Sequence, residues 1–385
     1  MNPTESELIE RARALVPKLS ERAASAETLG RLPEETVQDF QDAGFYDIAK
    51  PSAFGGYELS PEVLFRVSME LAWGCPSSAW CLCLIGVHNW EPGLMDSRAG
   101  EDLWADDPHA LYSSSYAPFG EVTVVEGGYR LSGRWQWSSG SDHCSWVMLG
   151  GMLPETQGRA EQIALLLPRT DYQIIDNWNV SGLKGTGSHD VLVDNAFVPE
   201  HRSHRLLAPS QGAFDSPIYD LPFGNIFALC LCAVTQGIAE AALHCYTEYL
   251  GDRVHKYDGQ AMSLDPFQQR RLSEVAADVQ ANRLRFHQVF RVLEQALKTA
   301  RNVPVDVQVA QSWETQSIAH RNADLVTILM RASGGGSFRL DHPMQRYFRD
   351  INAAVSHAFL SVDRGSLQYA KMRLAGSSSG TGRVK

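Results

Sequence analysis

Between residues 110 and 198 the chain changes its period, and that change limits the fold more than any other feature. Within this stretch β-branched and aromatic runs alternate with glycine turns. Val122-Thr123-Val124-Val125, the turn Glu126-Gly127-Gly128 and Tyr129-Arg130-Leu131-Ser132-Gly133 read as two strands and their connection. The runs 163–167 and 191–193 add further strands. On either side the pattern is helical, so a β region inserted between two helical ones, an α+β architecture, is expected.

Helix signals sharpen the flanks. Pro33-Glu34-Glu35 opens a segment closed by Ala43-Gly44, with proline suited to the first helical position and glycine to the residue past the end. Asp265-Pro266 starts the clearest helix, with aspartate as N-cap. Leu272, Val275, Ala276, Val279, Leu284, Val289, Phe290, Leu293 and Leu297 then recur at spacings of mostly three to five, which marks one buried face. The stretches 306–331 and 343–372 predict two more helices. Residues 199–223, with four prolines, read as a surface connection, and Gly376-Ser377-Ser378-Ser379-Gly380-Thr381-Gly382 as a flexible tail.

Composition removes several function classes. Among 385 residues, 34 Lys and Arg face 45 Asp and Glu, a net charge of −11, and no basic cluster interleaved with aromatics offers a nucleic-acid surface. The acidic start lacks a basic stretch followed by an apolar one, and the longest apolar run, 227–234, is too short for a bilayer, so a cytoplasmic protein without a membrane segment is expected. The seven cysteines have no Cys-x-x-Cys spacing or nearby His/Cys group, which predicts buried thiols and no metal site. His201-Arg202-Ser203-His204 reads as a solvated linker. Gly182-Leu183-Lys184-Gly185-Thr186-Gly187-Ser188 lacks the ending of a phosphate-binding loop and reads as a turn.

The order helices, β region, helices, taken with Trp135-Gln136-Trp137-Ser138-Ser139-Gly140, Gly182-Leu183-Lys184-Gly185-Thr186-Gly187 and the Arg349-Asp350 segment, resembles the acyl-CoA dehydrogenase fold over nearly the whole chain. That likeness implies an N-terminal helical domain (1–108), a central β-barrel or sandwich (109–205), a C-terminal four-helix bundle (206–375) and a tail (376–385). More narrowly, Val87-His88-Asn89-Trp90, Ser113-Ser114-Ser115-Tyr116-Ala117-Pro118, Trp137-Ser138-Ser139-Gly140-Ser141-Asp142-His143 and Arg346-Tyr347-Phe348-Arg349-Asp350 resemble the oxygenase components of two-component flavin monooxygenases. Within that family the likeness is greatest to the group hydroxylating a secosteroid phenol, with 4-hydroxyphenylacetate hydroxylase oxygenases further off. The resemblance implies reduced flavin (FMNH2 or FADH2) with O2 as co-substrate, reacting through a flavin C4a-hydroperoxide. It also implies a separate NAD(P)H-dependent flavin reductase, a small aromatic substrate and a homotetramer.

Site residues follow from the same likeness. Ser138 matches the hydroxyl contacting flavin N5, with Ser139 beside it. Trp135 and Trp137 flank the ring, Ser115 and Tyr116 touch it from a strand end, and Trp80 lies near. Arg253 matches the arginine that holds flavin phosphate, and Gly335 and Gly336, in Gly334-Gly335-Gly336, the loop approaching it in a neighbouring subunit, where a Cβ would not fit. Read from the residues alone, these are a hairpin with surface tryptophans, ordinary packing, a surface arginine and a helix C-cap. His88 and His357 form the expected reaction-centre pair, since a phenolate is a far better nucleophile than a phenol and histidine titrates near neutrality. Their residue-level alternatives are a hydrogen-bonded core histidine and a helix-face histidine. In the dehydrogenases a glutamate in an Ile-Tyr-Glu-Gly-Thr motif removes the α-proton. Here the segment reads Ala354-Val355-Ser356-His357-Ala358-Phe359, two helical turns past Arg349-Asp350. The expectation is an oxygenase component that hydroxylates a phenolic or indole-like ring. The alternatives are an acyl-CoA dehydrogenase-type flavoprotein and a non-catalytic relative.

Overall fold

A computed structural model of the chain describes residues 2–154, 161–206, 214–254, 259–299 and 302–377. It forms two compact units, Met1–Phe223 and Gly224–Lys385. The first begins with five helices: α1 (Glu5–Leu29), α2 (Glu34–Asp42), α3 (Pro61–Leu71), α4 (Pro76–His88) and α5 (Ser97–Trp104). A capping box at Thr4 and Glu7 starts α1, and Gly30 in the left-handed region ends it. Pro33 occupies the N-cap of α2 rather than its first helical position. All thirteen residues of α4 are buried, as a helix apolar on every face requires.

Seven strands follow: β1 (Tyr112–Val125), β2 (Gly128–Ser138), β3 (Trp146–Met152), β4 (Gln162–Pro168), β5 (Gln173–Ile175), β6 (His189–Pro199) and β7 (Ser203–Arg205). They make one mixed sheet in the order β5-β6-β2-β1-β3-β4-β7, with β1 and β3 parallel and the other pairs antiparallel. β4 and β6 stand four places apart in that order. Even so, Ile163, Leu165 and Leu167 share a buried cluster with Val191, Val193, Val198, Leu131 and Trp135, so the sheet curls around one core in the manner of a barrel. β1 bends where its register shifts between Ser115 and Gly120. Gly120 is glycine for a steric reason, because a Cβ there would stand 2.6 Å from the Trp135 ring. The expected surface connection 199–223 contains β7, and its residues 207–213 lie outside the described residues.

The second unit is helical: α6 (Phe223–Asp252, whose first residue closes the first unit), α7 (Pro266–Leu297), α8 (Val305–Ala332), α9 (Pro343–Ala354) and α10 (Val362–Ser377). Asp265 caps α7 through the Phe267 and Gln268 amides, with Pro266 first in the helix, as the sequence predicts. By length and composition α6 could cross a membrane, a possibility the short run 227–234 concealed, but 94% of its most apolar window is buried inside the protein. Polar side chains inside the bundle are paired: Asn282 donates to Asn322, Asn322 to Gln236, and Gln236 to the Val279 carbonyl.

The expected single helix over 343–372 is two helices. α9 ends at Ala354, and a 3₁₀ turn, Ala358–Leu360, precedes α10. Side chains from α8 stabilise the break, as Gln316 donates to the Phe359 carbonyl and His320 bonds that of Leu360. No proline or glycine marks it, so local signals predicted continuity. α10 runs to Ser377, and the rest of the expected tail lies outside the described residues. Six of the seven cysteines are buried, and Cys245 is partly exposed.

Candidate active site

Trp80, Leu84 and His88 recur every four residues and share one face of α4. That face lies against the ends of two strands. The Trp80 indole donates to Ser139 Oγ at 3.2 Å, just past β2, while His88 reaches β1 through Nδ1 to the Tyr112 carbonyl at 3.0 Å and Nε2 to Ser114 Oγ at 2.8 Å.

The strand ends are splayed, so side-chain hydroxyls take the place of backbone pairing. From Tyr112 to Ser115, β1 pairs with β3, and its backbone pairing with β2 begins only at Glu121. Side chains bridge the gap: Ser138 donates to Ser113 Oγ at 2.8 Å and Ser115 to the Gln136 carbonyl at 2.8 Å. Ser139 Oγ meets Ser188 Oγ at 2.7 Å, which in turn meets Thr186 Oγ1 at 2.6 Å. The glycine-rich turn thus packs behind the strand end, and its Gly185 lies against α1, where a Cβ would come within 2.9 Å of Ala26.

Trp135 and Trp137 part company here. Regular pleating would put them on one face, but the register slips between Trp135 and Ser138, and Trp137 adopts φ +66°. Trp137 is 65% exposed. Trp135 is fully enclosed in the sheet core, its indole donating to the Ala117 and Gly150 carbonyls at 3.1 and 2.8 Å. The expectation that both flank a flavin ring is therefore corrected for Trp135, which has no free face to stack against a ligand.

His88 is a buried neutral base. A carbonyl accepts at Nδ1, so that nitrogen carries the proton, and Nε2 accepts from the Ser114 hydroxyl. Burial pushes its pKa down, and the nearby Glu91 charge pulls it back up. Its ring stacks on Tyr112 (5.2 Å between centroids, 21°) and meets Tyr116 edge-on at 6.1 Å. The Tyr112 hydroxyl donates to the His88 carbonyl, and burial holds both phenols well above their ordinary range.

Sequence reasoning missed four residues here. Ser114 and Tyr112 lie within three residues of Ser115, which it did single out, but only the strand register turns them toward His88. Glu91 lies in the 3₁₀ turn after α4, and His204, assigned to a solvated linker, is a buried residue of β7 with Nε2 2.6 Å from Glu91 Oε1. That linker reading is overturned because β7 pairs with β4, Ala164 opposite His204. His201 instead meets Asp102 at 2.7 Å.

The remaining expected residues belong to the second unit. His357 is not on a helix face. It starts the 3₁₀ turn after α9, accepts the Phe359 amide at Nδ1 (3.3 Å) and stacks on the Phe359 ring at 5.8 Å. Burial pushes it down to about 4, so it too is a neutral imidazole. Arg253 and the Gly334-Gly335-Gly336 turn come together: a Cβ on Gly336 would sit 3.7 Å from the Arg253 guanidinium, which lies 4.7 Å from the Tyr249 ring centre. Gly334 has φ +70° and ψ −177°, a region essentially closed to other residues. A guanidinium facing bare backbone is a cradle suited to phosphate.

The families "Acyl-CoA dehydrogenase, N-terminal domain" and "Acyl-CoA dehydrogenase, C-terminal domain" match residues 2–91 and 229–362. The "Flavin-dependent monooxygenase, oxygenase subunit HsaA" of Rhodococcus jostii (strain RHA1) is 35% identical over 375 residues, 94% of this chain and 96% of that one. The "p-hydroxyphenylacetate 3-hydroxylase, oxygenase component" of Acinetobacter baumannii is 30% identical over 92% of this chain and 86% of its own. The crystal structure of 3-HSA hydroxylase from Rhodococcus sp. RHA1 superposes with a TM-score of 0.91 at 34% identity, covering 96% of this chain and 97% of the other.

Proposed function

The chain belongs to the oxygenase components of flavin-dependent monooxygenases with the acyl-CoA dehydrogenase fold, and from that premise we propose that it hydroxylates a small phenolic ring bound against His88. Reduced flavin, when bound, supplies together with O2 the electrophilic oxygen atom that is transferred. His88 takes the phenolic proton at Nε2, alone or through the Ser114 hydroxyl, which raises electron density at the ring carbon ortho to the oxygen. The observation that carries this reading is the pinned tautomer: Nδ1 is committed to the Tyr112 carbonyl, so the accepting nitrogen is the one beside Ser114.

Ser138, Ser139 and Ser115, with the exposed ring of Trp137, have the chemistry to receive a flavin edge and face, while Tyr116 and Trp80 support the same wall. Arg253 with Gly335 and Gly336 suits the flavin phosphate. His357 is the second proton-handling imidazole. The dehydrogenase alternative lacks its base, because residues 351–362 contain no carboxylate.

Reduced flavin reaches the chain from an NAD(P)H-dependent reductase on a separate polypeptide, which fits a cytoplasmic setting. The working form is a homotetramer, for which Leu264, in the turn before α7, and Phe267 and Leu284 on that helix, all exposed, are suitable contact residues. The test combines purified chain, a generic flavin reductase, NADH, O2 and a panel of phenols and indoles, read by mass. A phenol gaining one oxygen atom is the expected result. Peroxide release with every phenol unmodified overturns the reading, and an oxygenated indole alone replaces the substrate class. Titration with FMNH2 and FADH2 decides between the two flavins.

A further inference from the structure

The turn after α4 holds an acid to which the proposed reaction assigns no role. Glu91 is fully buried, three residues past His88, and both of its oxygens accept hydrogen bonds: Oε2 from the Tyr116 hydroxyl at 2.5 Å and Oε1 from Nε2 of His204 at 2.6 Å. Accepting at both oxygens is what an ionised carboxylate does, and an ion enclosed without such partners is costly. His204 arrives from 113 residues further along the chain. The Tyr116 ring it helps to fix is packed edge-on against both His88 and Phe223.

The titratable groups facing His88 are Tyr112 and Tyr116 from β1, both kept neutral by burial, and Glu91 from the turn; His204 of β7 faces Glu91. A proton arriving at His88 creates a buried imidazolium, which a fixed negative charge nearby favours. We propose that the Glu91–His204 pair is a positioning device for this reaction, pinning the Tyr116 hydroxyl and holding a negative charge beside His88 so that the imidazole accepts the substrate's proton. The inference rests on His88 being that acceptor. The proton moves from the substrate oxygen to His88 Nε2, and Glu91 stays anionic throughout.

The test uses the full chain and 4-nitrophenol, whose coloured ionised form reports the transferred proton without any flavin turnover. Below the free probe's own ionisation range, the coloured fraction of bound probe counts protons passed to the protein. Glu91→Gln removes the charge and keeps the shape, and the coloured fraction should fall at least about threefold, while Glu91→Asp retains much of it. With a substrate identified, the acid limb of the hydroxylation profile should move to lower pH in Glu91→Gln, a shift that lost packing alone does not produce. His204→Leu strips the carboxylate of its partner. It should lower the coloured fraction as well, because the carboxylate loses the contact that holds it in place, so it decides the matter if Glu91→Gln fails to fold. A coloured wild-type complex with an unchanged fraction in either folded variant overturns the inference alone. A colourless wild-type complex overturns the role of His88 itself, and the inference with it.

Discussion

Replacing His88 with asparagine separates the base from its scaffold. The asparagine amide can stand where Nδ1 stands and still donate to the Tyr112 carbonyl, whereas the nitrogen beside Ser114 disappears. The structural loss is one hydrogen bond and one ring stack, about 1 kcal/mol each, or roughly 2 kcal/mol together. For a unit of this size that lowers its melting temperature by about 4 to 8 °C, small enough to leave the protein folded at 25 °C. The catalytic loss is larger, because a positioned base contributes about 10²- to 10⁴-fold. Oxygenated product per NADH should therefore fall at least a hundredfold by that estimate, with the missing electrons recovered as hydrogen peroxide. The wild-type profile carries the matching sign. His88 works as the neutral imidazole and burial lowers its pKa, so hydroxylation persists as pH falls past the ordinary histidine range and fails only below it. If His88→Asn keeps more than about a third of the wild-type coupling, a loss far smaller than a base should cause, the proton-acceptor argument is wrong.

Three further outcomes follow from the geometry. Ser138→Ala removes the buried bond to Ser113 at a cost of about 1 kcal/mol; if Ser138 meets the flavin, peroxide release rises several-fold while substrate affinity holds, and unchanged coupling argues against the contact. Gly334→Ala forces a side chain into φ +70°, ψ −177° and brings a Cβ to 3.3 Å from the Tyr249 hydroxyl, so the fold loses about 1 to 3 kcal/mol and reduced-flavin affinity, read by titration, drops. His357 takes its proton near 6.5 when unfolded and near 4 when folded, so its contribution is complete above pH 6.5 and is lost as pH falls toward 4. That amounts to about 3 kcal/mol, which His357→Gln should remove from the acid-unfolding curve.

The fold was legible where the period of apolar residues alone decides the element. The change near residue 110, the Asp265-Pro266 start and most of the buried face of α7 follow from spacing and capping, although Leu284, which its spacing assigns to that face, is 65% exposed. It was illegible where partners distant in sequence replace local signals. Nothing between Val355 and Leu360 would stop an isolated helix. The break is stable because Gln316 and His320, about forty residues earlier, take up the carbonyls it frees. His357 consequently sits at a turn with its ring fixed by Phe359, a more rigid placement than a helix face gives an imidazole.

The candidate site divides along the same line. Residue types were readable: His88, the Ser138-Ser139 pair and the arginine with its glycine turn can all be named from motifs. Which way each points was not readable, because side-chain direction in a strand depends on register, and a single slip reverses it. One slip between Trp135 and Ser138 buries the first tryptophan, exposes the second and turns Ser138 toward Ser113. Another, between Ser115 and Gly120, follows the point where Ser114 faces His88. Both slips lie within a few residues of the hydroxyls. The irregularities that a pattern-based reading treats as noise therefore select the site, because a regular ladder here would satisfy the backbone and leave those hydroxyls unused. Restoring regular pairing should cost function before it costs stability.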